Sequence, residues 1–199
     1  MTTGRPAVFF DRDGTLNEEV DFLTEPGQLR LIAGAAEAVR AVNERGLPAC
    51  VISNQSGIAR GLFSEADLVP IHETFRAALG ARGARIDRIY YCPHHPTQGI
   101  DPYRVACECR KPRPGMLHRA ARDLGLDLAR SYVIGDRIVD VQAARNAGAR
   151  GILVLTGYGM TAMEECRAQG VVPDHIAPSV REAVAFVLQD HNGVPRENA

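Results

Sequence analysis

The chain has 199 residues, with 23 Lys and Arg against 24 Asp and Glu, a net charge of −1 and 45% hydrophobic residues. That balance suits one globular domain with a full core, expected over residues 1–190 ahead of a polar tail at 191–199, and it offers no basic footprint for nucleic acid. No apolar run approaches membrane-spanning length and the N-terminus lacks a basic-then-apolar leader, so a cytoplasmic protein with no membrane partner is expected.

Pro6–Phe10 is an apolar run that reads as a buried strand, and it ends in two carboxylates one residue apart, Asp11 and Asp13. Gly14 permits a turn there, and Thr15 is expected to hold it with a hydrogen bond. Two acids at a strand's carboxyl end suit magnesium, which binds through carboxylates plus substrate phosphate oxygens. They also suit a nucleophile paired with a proton donor. Residues 17–30 are polar and irregular, a candidate rim of the site, with a turn at Pro26-Gly27. A helix follows over 33–45, with Ala36, Val39 and Val42 on one face. Pro48–Ser53 is a second buried strand; the Ser53 hydroxyl at its end can hold a phosphoryl oxygen, and Asn54 and Gln55 add polar contacts. Ser64 caps a long helix through Ala81 whose stripe is Leu68, Ile71, Phe75 and Leu79. Ile86–Tyr91 is a third strand, ending in Cys92.

Residues 93–113 are too many and too poor in apolar side chains for an ordinary connection. Cys92-Pro-His94 and Cys107-Glu-Cys109 supply two close pairs of soft or borderline ligands, which read as a closed, structural, tetrahedral zinc site that orders the loop. His95 is a rival ligand; His94 is preferred because its one-residue spacing from Cys92 repeats that of the other pair. Arg110 and Lys111 place two cations before a helix that begins near Pro114 and runs to about Asp123. A Lys there can sit on the oxygens of a transferring phosphoryl group. The fourth strand, 131–134, ends in Gly135-Asp136, and Asp136 would complete a magnesium site with Asp11 and the backbone carbonyl of Asp13. Asp140, at the start of a helix over 138–147, is placed to support that metal or Lys111. A fifth strand at 151–155, a helix at 161–168, an extended piece near 175–176 and a last helix at 179–188 complete the reading.

Strands alternating with helices in this way make an α/β protein with a doubly wound, Rossmann-like parallel sheet. Such sheets bind ligands beyond the carboxyl ends of their strands at the switch point. That rule picks out residues 11–15, 53–55, the loop before Pro112, and 135–140.

Those four places, in that order, resemble the four motifs of the haloacid dehalogenase-like (HAD) phosphatases. Asp-Arg-Asp-Gly-Thr-Leu-Asn, Ser-Asn-Gln-Ser-Gly, Tyr-Tyr-Cys-Pro-His-His-Pro, Cys-Glu-Cys-Arg-Lys-Pro-Arg-Pro-Gly-Met and Gly-Asp-Arg together resemble the heptose 1,7-bisphosphate 7-phosphatases, with a match from about Ala7 to Thr156. The resemblance implies a HAD-type sheet with no large cap domain and a zinc-stapled loop, 92–109, inserted in it. It implies magnesium-dependent removal of the sugar's 7-phosphate, on the route to nucleotide-activated heptose for bacterial surface glycans. Asp11 would be the nucleophile that forms an aspartyl-phosphate, Asp13 the acid and base, and Ser53 and Lys111 the holders of the transferring oxygens. Substrate contacts would come from Glu19, Val20, Asp21, Phe22, Asn54, Gln55 and Ser56, with Arg110 on the distal phosphate. Arg137 stands where that family commonly has Lys, and its fork could grip a phosphate in two places. The expected partner is therefore a small phosphorylated sugar, the expected metals are magnesium and zinc, and a monomer is expected. Histidinol-phosphate phosphatases also resemble the chain, zinc loop included; Arg110 and Arg137 favour a bisphosphate. A rival of another class is a zinc-stapled phospho-ligand-binding module without turnover. The paired Asp11 and Asp13 argue against it, because a binding module has no use for two acids beside a bound anion.

Overall fold

Val8, Phe9 and Phe10 form the central strand β1, and all three are wholly buried. A computed structural model describes residues 4–193. In chain order, β1 is followed by α1 (Ala35–Glu44), β2 (Ala49–Asn54), α2 (Glu65–Gly80), β3 (Arg88–Cys92) and α3 (Gly115–Leu124). Then come β4 (Tyr132–Gly135), α4 (Ile138–Asn146), β5 (Arg150–Val154), α5 (Gly159–Gln169), β6 (His175–Ala177) and α6 (Val180–Gly193). The strands lie in the order β3-β2-β1-β4-β5-β6, every neighbouring pair parallel. The chain winds outward from β1 in one direction through β2 and β3, and in the other through β4 to β6. The switch point therefore falls between β1 and β4.

A parallel sheet covered on both faces buries nearly every position of its inner strands, which is why β1, β2, β4 and β5 read as continuously apolar. Val8, Phe10, Val51 and Ile134 face a large core with α1, α2 and α6, where Val39, Leu68, Phe75 and Val184 pack. Phe9, Cys50, Ile52 and Val133 face the other layer, against Met116, Leu117 and Ala120 of α3 and Ala143 and Ala144 of α4. Register levels the strand ends: Phe10 lies opposite both Val51 and Ile134. Asp11, Ser53 and Asp136 consequently leave the sheet side by side.

The expected strands and helices all form, with ends displaced by a few residues. The last helix differs most. Its expected end is Leu188, yet α6 continues to Gly193 because Asp190 accepts hydrogen bonds from Arg150 at 2.5 Å and from Tyr132, which ties this turn to β4 and β5. The rest of the expected tail, 194–199, lies outside the described residues. Ser64 caps α2 as read: its hydroxyl accepts from the Asp67 N–H at 3.3 Å and the Asp67 carboxylate accepts from the Ser64 N–H at 2.8 Å. Among the described residues no inserted cap domain stands over the sheet, and no helix is long and apolar enough to cross a membrane.

Candidate active site and metal centre

β1 ends on Asp11, and the chain turns at once. The N–H groups of Leu16 and Asn17 both donate to the Arg12 carbonyl, at 2.8 and 3.0 Å. Gly14 takes φ +76° and lies so close to Asp136 that a Cβ would collide with its Oδ2; a Cβ on Gly157 would meet the same oxygen and the Gly14 Cα. Thr15 does not hold this turn. Its hydroxyl is buried without a partner, and the side-chain support comes from Asn17, whose Nδ2 donates to Asp13 Oδ1 at 2.9 Å and to the Glu18 carbonyl at 2.8 Å. The carbonyl of Gly14 accepts from the Thr156 hydroxyl at 2.7 Å, fastening the turn to the end of β5.

Lys111 reaches the floor of the site from the loop before α3. Its Nζ lies 2.9 Å from Asp11 Oδ1 and 2.5 Å from Asp140 Oδ1, and it donates to the Ile52 carbonyl at 2.9 Å. Asn54 fixes the Lys111 backbone by a reciprocal pair: Oδ1 accepts from the Lys111 N–H at 3.0 Å, and Nδ2 donates to its carbonyl at 3.1 Å. Burial alone would lower the Lys111 ammonium, but the carboxylates of Asp11 and Asp140 outweigh it and raise it above its ordinary value.

Asp11, Asp136 and Asp140, all buried, bring carboxylate oxygens within 4.8 Å of one another. Burial pushes Asp11 well above the usual carboxylate range; Lys111 pulls it down, while Asp140, Asp136 and Asp13 push it further up. Burial, with Asp140 adding to it, lifts Asp136 to about 7. The Tyr158 N–H donates to Asp136 Oδ2 at 2.8 Å, while Asp136 Oδ1 is buried with no hydrogen-bond partner. One lysine does not balance three buried carboxylates. A divalent cation coordinated by oxygen would relieve the repulsion and satisfy the orphaned atom, so these residues fit magnesium. The Asp13 carboxylate is outside this cluster. It takes Nε and Nη2 of the wholly buried Arg12, at 3.1 and 2.9 Å, and Gln55 Nε2 at 3.0 Å. Burial alone would raise it, but the Arg12 guanidinium and the hydrogen bonds of Asn17, Arg12 and Gln55 hold it below its ordinary value. Gln55 Nε2 also donates to Ser53 Oγ at 2.7 Å.

Above this floor opens a cleft of about 610 Å³. Asp11, Asp13, Ser53 and Lys111 line it, as do Glu19, Asp21, Phe22, Asn54, Gln55, Ser56, Arg110 and Arg137. Val20, in the same predicted stretch, does not line it and is 40% exposed. Arg137 stacks its guanidinium 3.9 Å above the Tyr158 ring and reaches Glu19 at 3.4 Å, and the Tyr158 hydroxyl donates to Asp21 at 3.0 Å. Tyr158 and Arg60 line the cleft without having been read from the sequence. Arg60 follows a Ser-Gly turn, a setting in which a cation reads as solvated surface. Tyr158 holds Asp136 through its backbone, which carries no residue-type signal.

The second cluster lies at the end of β3. Cys92 Sγ is 3.4 Å from Cys107 Sγ and 3.1 Å from Cys109 Sγ, and the latter two are 3.3 Å apart. His94 Nδ1 completes the set, 3.7 Å from Cys92 Sγ and 3.5 Å from Cys109 Sγ. Zinc bound to sulfur at ~2.3 Å in a tetrahedron spaces its ligands by just under ~4 Å, close to this arrangement, and three sulfurs with one imidazole nitrogen suit that metal. His95 is turned elsewhere: its Nδ1 accepts from the N–H groups of Thr97 and Gln98, at 3.3 and 3.0 Å. The loop carries two of the cleft's cations, for Arg110 donates to the His94 carbonyl at 3.1 Å and Lys111 follows it.

A buried carboxylate paired with a buried lysine at a parallel switch point suits a HAD phosphatase, a phosphoric monoester hydrolase, and residues 108–183 match the profile of the HAD-hydrolase-like family. The chain is 42% identical over 174 residues to the D-glycero-beta-D-manno-heptose-1,7-bisphosphate 7-phosphatase of Yersinia pestis, covering 86% of this chain and 92% of that one. It is 43% identical over 187 residues to the D-glycero-D-manno-heptose-1,7-bisphosphate 7-phosphatase of Thermosynechococcus vestitus, covering 92% and 95%. The crystal structure of D,D-heptose 1,7-bisphosphate phosphatase from B. bronchiseptica, complexed with magnesium and phosphate, superposes with a TM-score of 0.82 at 34% identity, over 93% of this chain and 99% of that one. The chain belongs to the D-glycero-D-manno-heptose-1,7-bisphosphate 7-phosphatase family.

Proposed function

We propose that this enzyme removes the 7-phosphate of D-glycero-D-manno-heptose 1,7-bisphosphate through an aspartyl-phosphate on Asp11. The observation that carries the reading is the Asp11 carboxylate held 2.9 Å from Lys111 on the floor of the cleft, beside Asp13 and Ser53. Asp11 attacks phosphorus in line; the bond from phosphorus to the C7 oxygen breaks, and Asp13 gives its proton to that oxygen. Asp13 then takes a proton from water, which attacks the same phosphorus and releases phosphate and the Asp11 carboxylate. Before substrate arrives, the donors around Asp13 keep it ionised, the form needed as a base. A phosphate dianion beside it raises its proton affinity for the first step. Ser53 and Lys111 hold the transferring oxygens.

Magnesium would be held by Asp11, Asp136 and the backbone carbonyl of Asp13, with Asp140 in support, and would supply positive charge against the phosphate oxygens. Zinc would be held by Cys92, His94, Cys107 and Cys109, and would fix the loop that presents Arg110 and Lys111. Arg110, with Arg60 on the same wall, meets the distal phosphate; Glu19, Asp21, Phe22, Asn54, Gln55, Ser56 and Arg137 shape the sugar site, with Val20 at its outer edge. The same reading makes the protein a cytoplasmic monomer acting on a small phosphorylated sugar, whose product feeds nucleotide-activated heptose. The test is steady-state phosphate release with magnesium on heptose 1,7-bisphosphate and on histidinol phosphate. A kcat/KM advantage of ~100-fold for the bisphosphate, ~2.7 kcal/mol of transition-state binding, is expected. The reverse preference would keep the chemistry and overturn the substrate.

A further inference from the structure

Arg12 is the bulkiest side chain that the fold encloses completely. A guanidinium taken out of water is costly unless paired, and the carboxylate it pairs with belongs to the next residue in the chain, Asp13. Consecutive residues on a straight strand point to opposite faces. Here they meet because the chain turns on the Arg12 carbonyl, which accepts from two N–H groups. The fork uses both Asp13 oxygens, Nε on Oδ1 at 3.1 Å and Nη2 on Oδ2 at 2.9 Å. Each oxygen then takes one further donor, Asn17 at 2.9 Å and Gln55 at 3.0 Å. Arg12 Nη2 also donates to Gln55 Oε1 at 3.3 Å, and Gln55 passes on to Ser53 at 2.7 Å. Rotation of the Asp13 carboxylate about either side-chain torsion breaks several of these bonds together.

We infer that Arg12 is a positioning residue for phosphoryl transfer, acting through Asp13 by fixing the plane of that carboxylate at the cleft wall. The inference rests on Asp13 being the acid and base proposed above. What Arg12 supplies is the planar fork: a lysine is a point charge and cannot engage both oxygens in their plane. Proton transfer to a leaving oxygen tolerates little misplacement, and a lone Asp at a turn has two free torsions.

The experiment compares kcat/KM for heptose 1,7-bisphosphate, whose leaving alkoxide needs a proton, with that for 4-nitrophenyl phosphate, whose leaving phenolate needs none. The variants are Arg12→Gln, Arg12→Lys, Asp13→Asn and the Arg12→Gln/Asp13→Asn double. Both Arg12 variants are expected to lose about 100-fold on the sugar and less than about 5-fold on the nitrophenyl ester, and the double variant to be no worse than Asp13→Asn alone. Equal losses on both substrates, an added loss in the double variant, or wild-type rates in Arg12→Lys would overturn the inference. Should Arg12→Gln fail to fold, Arg12→Lys, which keeps the buried charge, carries the comparison. If Asp13→Asn itself shows no leaving-group dependence, the acid-base reading of Asp13 falls, and the inference with it.

Discussion

Asp11, Asp136 and Asp140 stand on the ends of β1 and β4 and the first turn of α4, and all three are buried. Cys92 stands on the end of β3, but His94, Cys107 and Cys109 belong to a loop without regular structure and with few buried apolar residues. The sheet assembles the acids. Strand register and the close glycines 14 and 157 fix where they sit, and the charge repulsion is endured in advance. The loop ligands have no strand register to fix them; they are held by one another, by any metal they share, by the close packing of Gly99 on Ala59 and Gly115 on Glu108, and by outer bonds. Tyr91 and Tyr103, both donating to Glu65 at 2.6 and 2.9 Å, are such bonds. A preformed cluster suits chemistry that must not reorganise; a cluster made by its own metal suits a scaffold.

The sharpest way to break this comparison is to remove the central acid. Asp11→Asn is expected to lose on the order of 1,000-fold or more in kcat while remaining folded, checked by phosphate release and by melting. Loss of the fold instead would show that the sheet needs the carboxylate it carries. The loop cluster should respond in the opposite way. Cys107→Ser/Cys109→Ser is expected to lose about 10- to 100-fold in activity and to become open to protease between residues 93 and 110, with the sheet retained. A protease-resistant loop in that variant would mean that packing, not metal, orders it.

Legibility in the sequence follows the same division. The strand-end acids are legible because an apolar run stops directly at each of them, and the four loop ligands because their spacing repeats. In the structure backbone N–H groups occupy His95 Nδ1, and His94 is the histidine beside the three sulfurs. Arg12 is not legible, since a cation between two aspartates reads as a solvated residue of the motif; only the turn folds it inward. Thr15 does not take the role its type suggests, because the turn buries its hydroxyl without a partner and aims the Asn17 amide at Asp13 instead. Tyr158 and Arg60 reach the cleft through long-range packing, which no local pattern records.

Two gentler measurements sharpen the contrast. Magnesium at a hundred times its Kd is expected to stabilise the wild type by about 2.7 kcal/mol in thermal unfolding, and Asp136→Asn to abolish that gain. An equal gain in the variant would place the ion elsewhere. His72 provides a control outside both clusters. Burial, with Arg12 and Arg76 adding to it, lowers it from 6.5 to about 4, and its Nε2 has no partner. Between those values the unfolded chain binds a proton that the folded one refuses, so stability falls as pH drops through this window, by at most about 3 kcal/mol. His72→Leu should flatten that slope in urea unfolding between pH ~7 and ~4.5, and an unchanged slope would assign acid sensitivity to the carboxylates.

The claim at the centre is that the preformed acid on β1 is the nucleophile. The direct measurement is to quench the enzyme during turnover of heptose 1,7-bisphosphate, reduce with borohydride, and locate the modified residue by peptide mass spectrometry. An acyl phosphate on Asp11 would be reduced to homoserine at that position, and Asp11→Asn would yield none. Homoserine at Asp13 or Asp136, or at no position while turnover proceeds, would contradict the account.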